Sequence, residues 1–206
     1  MIKYLCSTLL LITSLTAFSA EFVAGQDYEV INNSPSPPLN GAINVTEFFN
    51  FGCPWCYRLE PALNQWVQQQ GHKIRFKKIP VIFNKDWSYY ARAYYIAEAL
   101  SLNSTLDKAL FKAILDDKKH LNSQQSMIDF LTQQGVERTT AESAFSHSPS
   151  IELHMTEAQR LMIAYRVSAV PAIIVNHTFK TDLQMAKTEA RLFEILDYLL
   201  AQSLKK

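Results

Sequence analysis

Phe48-Phe49-Asn50-Phe51-Gly52-Cys53-Pro54-Trp55-Cys56-Tyr57-Arg58-Leu59 is the stretch that decides the fold. An apolar run of strand character enters two cysteines separated by two residues, and helical periodicity then sets in through Leu59, Leu63, Trp66 and Val67. Pro54 suits a first helical turn, where its missing N–H is no loss. Gly71, after Gln68-Gln69-Gln70, is a stop signal. Pro61, inside the pattern, is expected to kink the helix. The dithiol therefore stands at a strand-to-helix junction, with Cys53 at the helix start and Cys56 one turn in.

Upstream, Ile43, Val45, Glu47, Phe49 and Phe51 share one strand parity, and only Glu47 is not apolar. It reads as a buried carboxyl near the dithiol or, more blandly, as a charge on an edge strand. Downstream, a second strand over 73–83 places Ile74, Phe76 and Lys78 on one face and Lys73, Arg75 and Lys77 on the other. Lys78 is thus a lysine on an apolar face, and a buried lysine needs a partner; Glu47 is the expected one.

Residues 87–165 read as a block of helices over 87–100, 105–117, 123–134 and 139–165, with Ser123 and Thr139 as N-caps. The pairs Tyr89-Tyr90 and Tyr94-Tyr95 read as helix packing, and Asp116-Asp117-Lys118-Lys119 as a solvated helix end. Strand character returns at Val170-Pro171-Ala172-Ile173-Ile174-Val175, turns at Asn176-His177 and resumes at Thr178-Phe179-Lys180, a hairpin pattern. A last helix over 187–200 directs Ala190, Phe193, Ile195, Leu196, Leu199 and Leu200 to the core. This order predicts an α/β protein, a mixed sheet covered by helices, with the helical block inserted.

The first 19 residues differ in kind. Lys3 is their single charge, an apolar run spans Leu5 to Leu15, and small residues at Ala17 and Ser19 suit cleavage after Ser19. The run is shorter than the roughly 20 residues of a membrane span. Export, with removal of residues 1–19 and of Cys6 with them, is expected. Residues 20–41, with Pro35, Pro37 and Pro38, read as an irregular arm. The core domain is expected over 42–86 and 166–206, interrupted by the insertion at 87–165.

Across 206 residues, 20 Lys and Arg against 19 Asp and Glu give a net charge of +1. Nothing in that balance calls for nucleic acid or an anionic membrane as the main partner. Cys53 and Cys56 remain as the only cysteines after cleavage, in a compartment where disulfides persist. A zinc site needs three or four ligands, and none of the five histidines forms the short-spaced pair that would complete one. A c-type haem needs His after the second cysteine, where Tyr57 stands. A purely structural bridge across so short a loop removes little chain entropy. Redox use has a positive mechanism: unpaired N–H groups and the helix dipole stabilise a thiolate at Cys53, the more acidic and exposed thiol. Cys56, shielded, resolves the mixed disulfide.

With Glu47 six residues ahead of Cys53 and Val170-Pro171 far downstream, this motif resembles the DsbA family of thioredoxin-fold thiol oxidases of the bacterial periplasm, over nearly the whole mature chain. The resemblance implies a thioredoxin-like mixed sheet with an inserted helical domain, and catalysis by Cys53 and Cys56 with no cofactor beyond their redox-active disulfide and no metal. It implies a cis Pro171 beside the dithiol that holds the Val170 backbone open to an extended substrate peptide. Glu47 would be the buried acid and proton relay with Lys78 as neighbour, and Pro54, Trp55 and Lys78 would tune the dithiol. The implied partners are reduced or unfolded exported proteins and a membrane quinone-linked re-oxidase of the DsbB type, the protein itself acting as a monomer in the periplasm.

One departure bears on direction. The best-known members carry His where this chain has Trp55, and an indole cannot become cationic. First-cysteine pKa values run from about 3.5 in DsbA to about 7 in thioredoxin, and potentials from about −120 to −270 mV, a span of about 7 kcal/mol. Trp55 is expected to move this chain toward the reducing end, so a reductase or isomerase is the alternative. A peptide-binding chaperone with an incidental dithiol is a further one. The arm before Gly41 is short for the dimerisation domain that isomerases of the related kind carry.

Overall fold

A computed structural model describes residues 22–31, 41–146 and 148–204. The central strand β2 (Ile43–Phe49) pairs in parallel with β3 (Ile74–Pro80) and antiparallel with β4 (Ala172–Val175). β4 pairs with β5 (Phe179–Asp182), and β5 with the short β1 (Glu29–Val30), so the sheet runs β1-β5-β4-β2-β3. The expected mixed sheet is present, and five further helices stand between β3 and β4 in the chain. These are α2 (Lys85–Ala99), α3 (Asn103–Phe111), α4 (Gln124–Gln133), α5 (Arg138–Ser146) and α6 (Pro149–Ala164).

Two apolar clusters hold these layers together. α1 (Pro54–Gln70) and α8 (Glu189–Ser203), which follows the one-turn α7 (Leu183–Ala186), pack Leu59, Leu63, Trp66, Leu192, Ile195, Leu196 and Leu199 against Ile43, Val45, Ile173 and Val175 of the sheet. The second cluster joins Phe48, Phe49 and Phe51 to Tyr94, Leu110, Phe111 and the rest of the inserted helices. β2 is therefore buried on both faces, as a central strand flanked by helices must be. Each fully buried Phe or Leu contributes about 1.5–3 kcal/mol, so the three phenylalanines ahead of the dithiol anchor it to the cluster shared with the inserted helices.

Several local expectations change. Residues 22–31 are not an irregular arm: Phe22 and Ile31 are buried, Asp27 pairs with Arg191, and β1 closes the sheet edge. The triple-proline stretch and the expected leader lie outside the described residues. The helix expected over 139–165 is two helices, because Pro149 begins α6 as an N-terminal proline and lacks the N–H that would continue α5. Thr139 lies inside α5; the capping group is the Glu137 carboxylate, which accepts from the Thr139 and Thr140 N–H groups at 3.0 and 2.7 Å. Ser123 does cap α4, in a capping box with Ser126. The final helix begins after Thr188, which caps it, so Ala190 is exposed and Leu192 takes the core position. α1 runs on past Pro61 to Gln70.

The hairpin between β4 and β5 turns through Asn176 and His177, both at positive φ (51° and 56°), with Thr178 N–H donating to Val175 O at 3.0 Å. That is the turn handedness which matches strand twist. The turn returns β5 along β4, while the antiparallel pairing of β4 with β2 sets Ala172 opposite Phe48 and so brings Pro171, just ahead of β4, to the Cys53 end of β2.

Candidate functional site

Cys53 is the N-cap of α1. Its Sγ accepts from the Cys56 N–H at 3.3 Å, and its backbone N–H donates to Asn50 O at 3.0 Å. The two thiols are free, so the site is in its dithiol form. The hydrogen bond with Cys56 lowers the Cys53 pKa to about 7, helped by the backbone N–H groups of Cys56 and Trp55 and opposed by burial. Burial and the neighbouring Cys53 push the Cys56 thiol far up. The expected ranking holds, though Cys53 is hardly open to solvent: it is 5% exposed and Cys56 0%.

The Val170–Pro171 bond is cis, and the Cys53 Sγ–H donates to Val170 O at 3.4 Å. A thiolate cannot donate, so ionisation of Cys53 leaves the Val170 carbonyl without that donor. Trp55 is 58% exposed; the Arg58 guanidinium lies 5.6 Å from its ring centroid and pairs with Glu189 at 2.7 Å. Trp55, Arg58, Val170, Pro171, Leu183 and Gln184 line a groove of about 630 Å³ beside the dithiol.

Asn50 and Trp87 were not singled out from the sequence. Asn50 is fully buried: its Nδ2 donates to Val81 O at 2.8 Å and its Oδ1 accepts from Gly52 N–H at 2.9 Å, which fixes the loop into α1. A polar residue inside Phe48–Phe51 was the available signal. The Trp87 indole lies over Gly52 so closely that a Cβ there would stand 2.5 Å from Nε1. Only the inserted helix α2 brings it there, so no local pattern could have shown it.

Glu47 is completely buried, in register opposite Lys78 across the parallel pair. The Lys78 Nζ, however, is 4.0 Å from Glu47 Oε2 and makes its close contacts elsewhere, to Glu60 at 2.8 and 2.9 Å and Asp107 at 3.4 Å. Both Glu47 oxygens lack a hydrogen-bond partner. Glu60 and not Glu47 is thus the principal partner of Lys78, because Glu60 reaches it from the next turn of α1. Burial is the largest influence on Glu47 and raises its pKa to about 8, against the pull of Lys78. Burial works against the Lys78 ammonium, yet its carboxylate neighbours outweigh it and hold the lysine charged. With Glu47 neutral at pH 7, Glu60 and Asp107 still hold the ammonium, which also sits 4.2 Å from the Phe49 ring centroid.

A helix-capping cysteine pair facing a cis-proline loop on a mixed sheet defines the thioredoxin class, and the family model described as Thioredoxin matches residues 40–197. The thiol:disulfide interchange protein DsbA of Burkholderia cepacia is 34% identical over 207 residues, covering 97% of each chain. That of Azotobacter vinelandii is 30% identical, covering 89% of this chain and 85% of its own. The crystal structure of Pseudomonas aeruginosa DsbA superposes with a TM-score of 0.83 at 28% identity, covering 90% of this chain and 97% of its own. The oxidoreductase DsbA from Xylella fastidiosa gives 0.81 at 26% identity, covering 89% and 98%. The chain belongs to the DsbA family of thiol:disulfide interchange proteins. Its chemistry is thiol:disulfide exchange.

Proposed function

We propose that this chain is an exported oxidase that gives its Cys53–Cys56 disulfide to reduced proteins in the periplasm. A substrate thiolate attacks Cys53 Sγ, forming the mixed disulfide and releasing Cys56 as a thiolate that takes up a proton. The second substrate thiolate then attacks the substrate sulfur of that bond, and Cys53 leaves as the stabilised thiolate. Two electrons pass from the substrate dithiol to the protein, which a quinone-linked membrane partner of the DsbB type would re-oxidise.

The observation that carries the reading is the capped Cys53 Sγ. N–H donors aimed at that sulfur favour its thiolate, hence the dithiol form, which makes the disulfide a better oxidant. Glu47 serves as the proton relay: burial favours its protonated form, neither of its oxygens has a hydrogen-bond partner, and it is near enough to Cys56 for the two groups to feel each other's ionisation. Val170 and Pro171 form the substrate-pairing edge, Pro54 starts the helix, and Lys78 tunes the buried acids. A Cys53→Ser variant is expected to lose oxidation of reduced, unfolded protein; retained activity would refute the assignment.

A reductase is the second reading, and Trp55 favours it. Its side chain points to solvent and Arg58, leaving only its backbone N–H to the sulfur. The equilibrium potential against glutathione separates the two.

A further inference from the structure

Lys78 stands among three carboxyls and is held off the one that the proposed reaction uses. Its contacts to Glu60 on α1 and Asp107 on α3 are 2.8 and 3.4 Å, against 4.0 Å and no hydrogen bond to Glu47. Glu60 and Asp107 line a groove of about 1010 Å³ that also exposes part of Lys78, whereas Glu47 lies wholly inside. The ammonium is therefore drawn toward the groove and away from the buried acid. Asp107 comes from the inserted helices, so this pull reaches across from the insertion to the sheet.

We propose that Asp107 is a positioning residue for the proton transfer to Cys56. By sharing Lys78 with Glu60 it keeps the ammonium from closing on Glu47, and so keeps Glu47 a neutral carboxylic acid able to donate. In the oxidase cycle proposed above, on which this inference rests, the Cys53–Cys56 bond breaks and the Cys56 thiolate takes the Glu47 proton. Glu47 becomes a carboxylate and recovers a proton from solvent before the next turnover. No electron moves through Asp107 or Lys78; they set only where the positive charge sits.

Other charges around the pair do not supply this function. Facing Glu47 are Lys78 from β3, Cys53, Cys56 and Glu60 from α1, Asp107 from α3 and Tyr94 from α2, whose hydroxyl donates to Lys78 O at 3.2 Å. Facing Asp107 are Lys78, Glu60 and the Asn103 side chain. Lys77, Lys108, Lys112 and Glu98 line the groove, and no ion pair from them to Glu47, Glu60 or Asp107 is formed among the described residues. The Asp107 Oδ1 is buried without a partner, as for a carboxylate held in place by its other oxygen.

The test is the single-turnover reduction of the Cys53–Cys56 disulfide by a cysteine-containing peptide, followed against pH in the mature protein. Asp107→Asn, nearly isosteric, lets Lys78 approach Glu47 and is expected to lower the Glu47-dependent inflection by about one unit. At about pH 8 the protonated share of Glu47 then falls from about one half to about one tenth, a roughly fivefold slower step. Below about pH 6 the two proteins converge. Asp107→Glu restores the profile, and Asp107→Asn has no effect on it in a Glu47→Gln background. If Glu47→Gln shifts the profile but Asp107→Asn does not, Asp107 has no such role and the Glu47 relay survives. If Glu47→Gln shifts nothing, the relay itself is wrong and this inference falls with it. Should Asp107→Asn not fold, Asp107→Ser and carboxyl NMR titration of Glu47 in the unmodified protein carry the same test, and a Glu47 that ionises in the ordinary carboxylate range overturns the proposal.

Discussion

Replacing Trp55 by His tests how far the side chain between the cysteines sets the direction of exchange. In the present site the Cys53 sulfur is stabilised by the hydrogen bond from the Cys56 thiol and by the N–H groups of Cys56 and Trp55, with no cation beside it, and its pKa lies at about 7. At pH 7 such a thiol gains about 0.4 kcal/mol by ionising, against about 4.8 kcal/mol for one at 3.5, a difference equivalent to roughly 95 mV. Measured from the about −120 mV of the most oxidising member, the potential of this chain is expected near −215 mV. An imidazolium beside the thiolate lowers a pKa by about 1 to 3 units. Trp55→His is therefore expected to bring Cys53 to between about 6 and 4 and to raise the potential by about 20 to 80 mV. Thiolate ultraviolet absorbance against pH gives the first quantity, and equilibration with glutathione read by tryptophan fluorescence gives the second. A variant whose Cys53 pKa stays within a few tenths of the parent, or rises, refutes the view that the side chain at position 55 sets the stability of the Cys53 thiolate.

Three further outcomes are expected. Glu47 is raised from 4.5 to about 8, so between those values the folded dithiol protein holds a proton that the unfolded chain has lost, and stability falls as pH rises. Cys53, lowered from 9.0 to about 7, opposes this only above pH 7, and Lys78, raised above 10.5, adds no slope there. Denaturant titrations from about pH 5 to 7 are expected to show a loss of which about 2.5 kcal/mol disappears in Glu47→Gln, a smaller remainder coming from Asp107, which is raised from 3.8 to about 6; an unchanged slope in that variant would count against a neutral Glu47. Gly52→Ala drives a methyl into the Trp87 indole and is expected to cost about 1–3 kcal/mol and to alter tryptophan emission, checked by urea unfolding and fluorescence. Asn50→Ala leaves Val81 O and Gly52 N–H without their buried partner and is expected to cost about 1–3 kcal/mol, with a slower exchange rate as the Cys53 loop loosens.

The dithiol, its helix and the two odd charges were legible because each breaks or completes a local pattern. A strand parity interrupted by Glu47, a second one interrupted by Lys78, and a proline at the first helical position all reside within a few residues of sequence. Those parities suggested Glu47 and Lys78 as neighbours, but neither the register that sets them opposite nor the true partner of Lys78 followed from them. Glu60 sits on an amphipathic helix where an acid signals nothing, and Asp107 is some thirty residues on from Lys78, in a helix whose packing no periodicity specifies. The N-terminal segment went unread for the same reason. Phe22, Asp27 and the β1 edge acquire meaning only against β5 and α8.

The sequence by itself determined the chemistry: two cysteines in a four-residue turn at a helix start can do little but exchange, since the N–H groups that acidify the first are local to that turn. The tertiary structure decided how that chemistry is controlled. A Val170 carbonyl on Cys53, a Trp87 ring over Gly52 and an ammonium shared between Glu60 and Asp107 all join segments far apart in the chain. Burial sets the proton affinities of Glu47 and Cys56, and burial is a property of the packed molecule and not of any stretch within it.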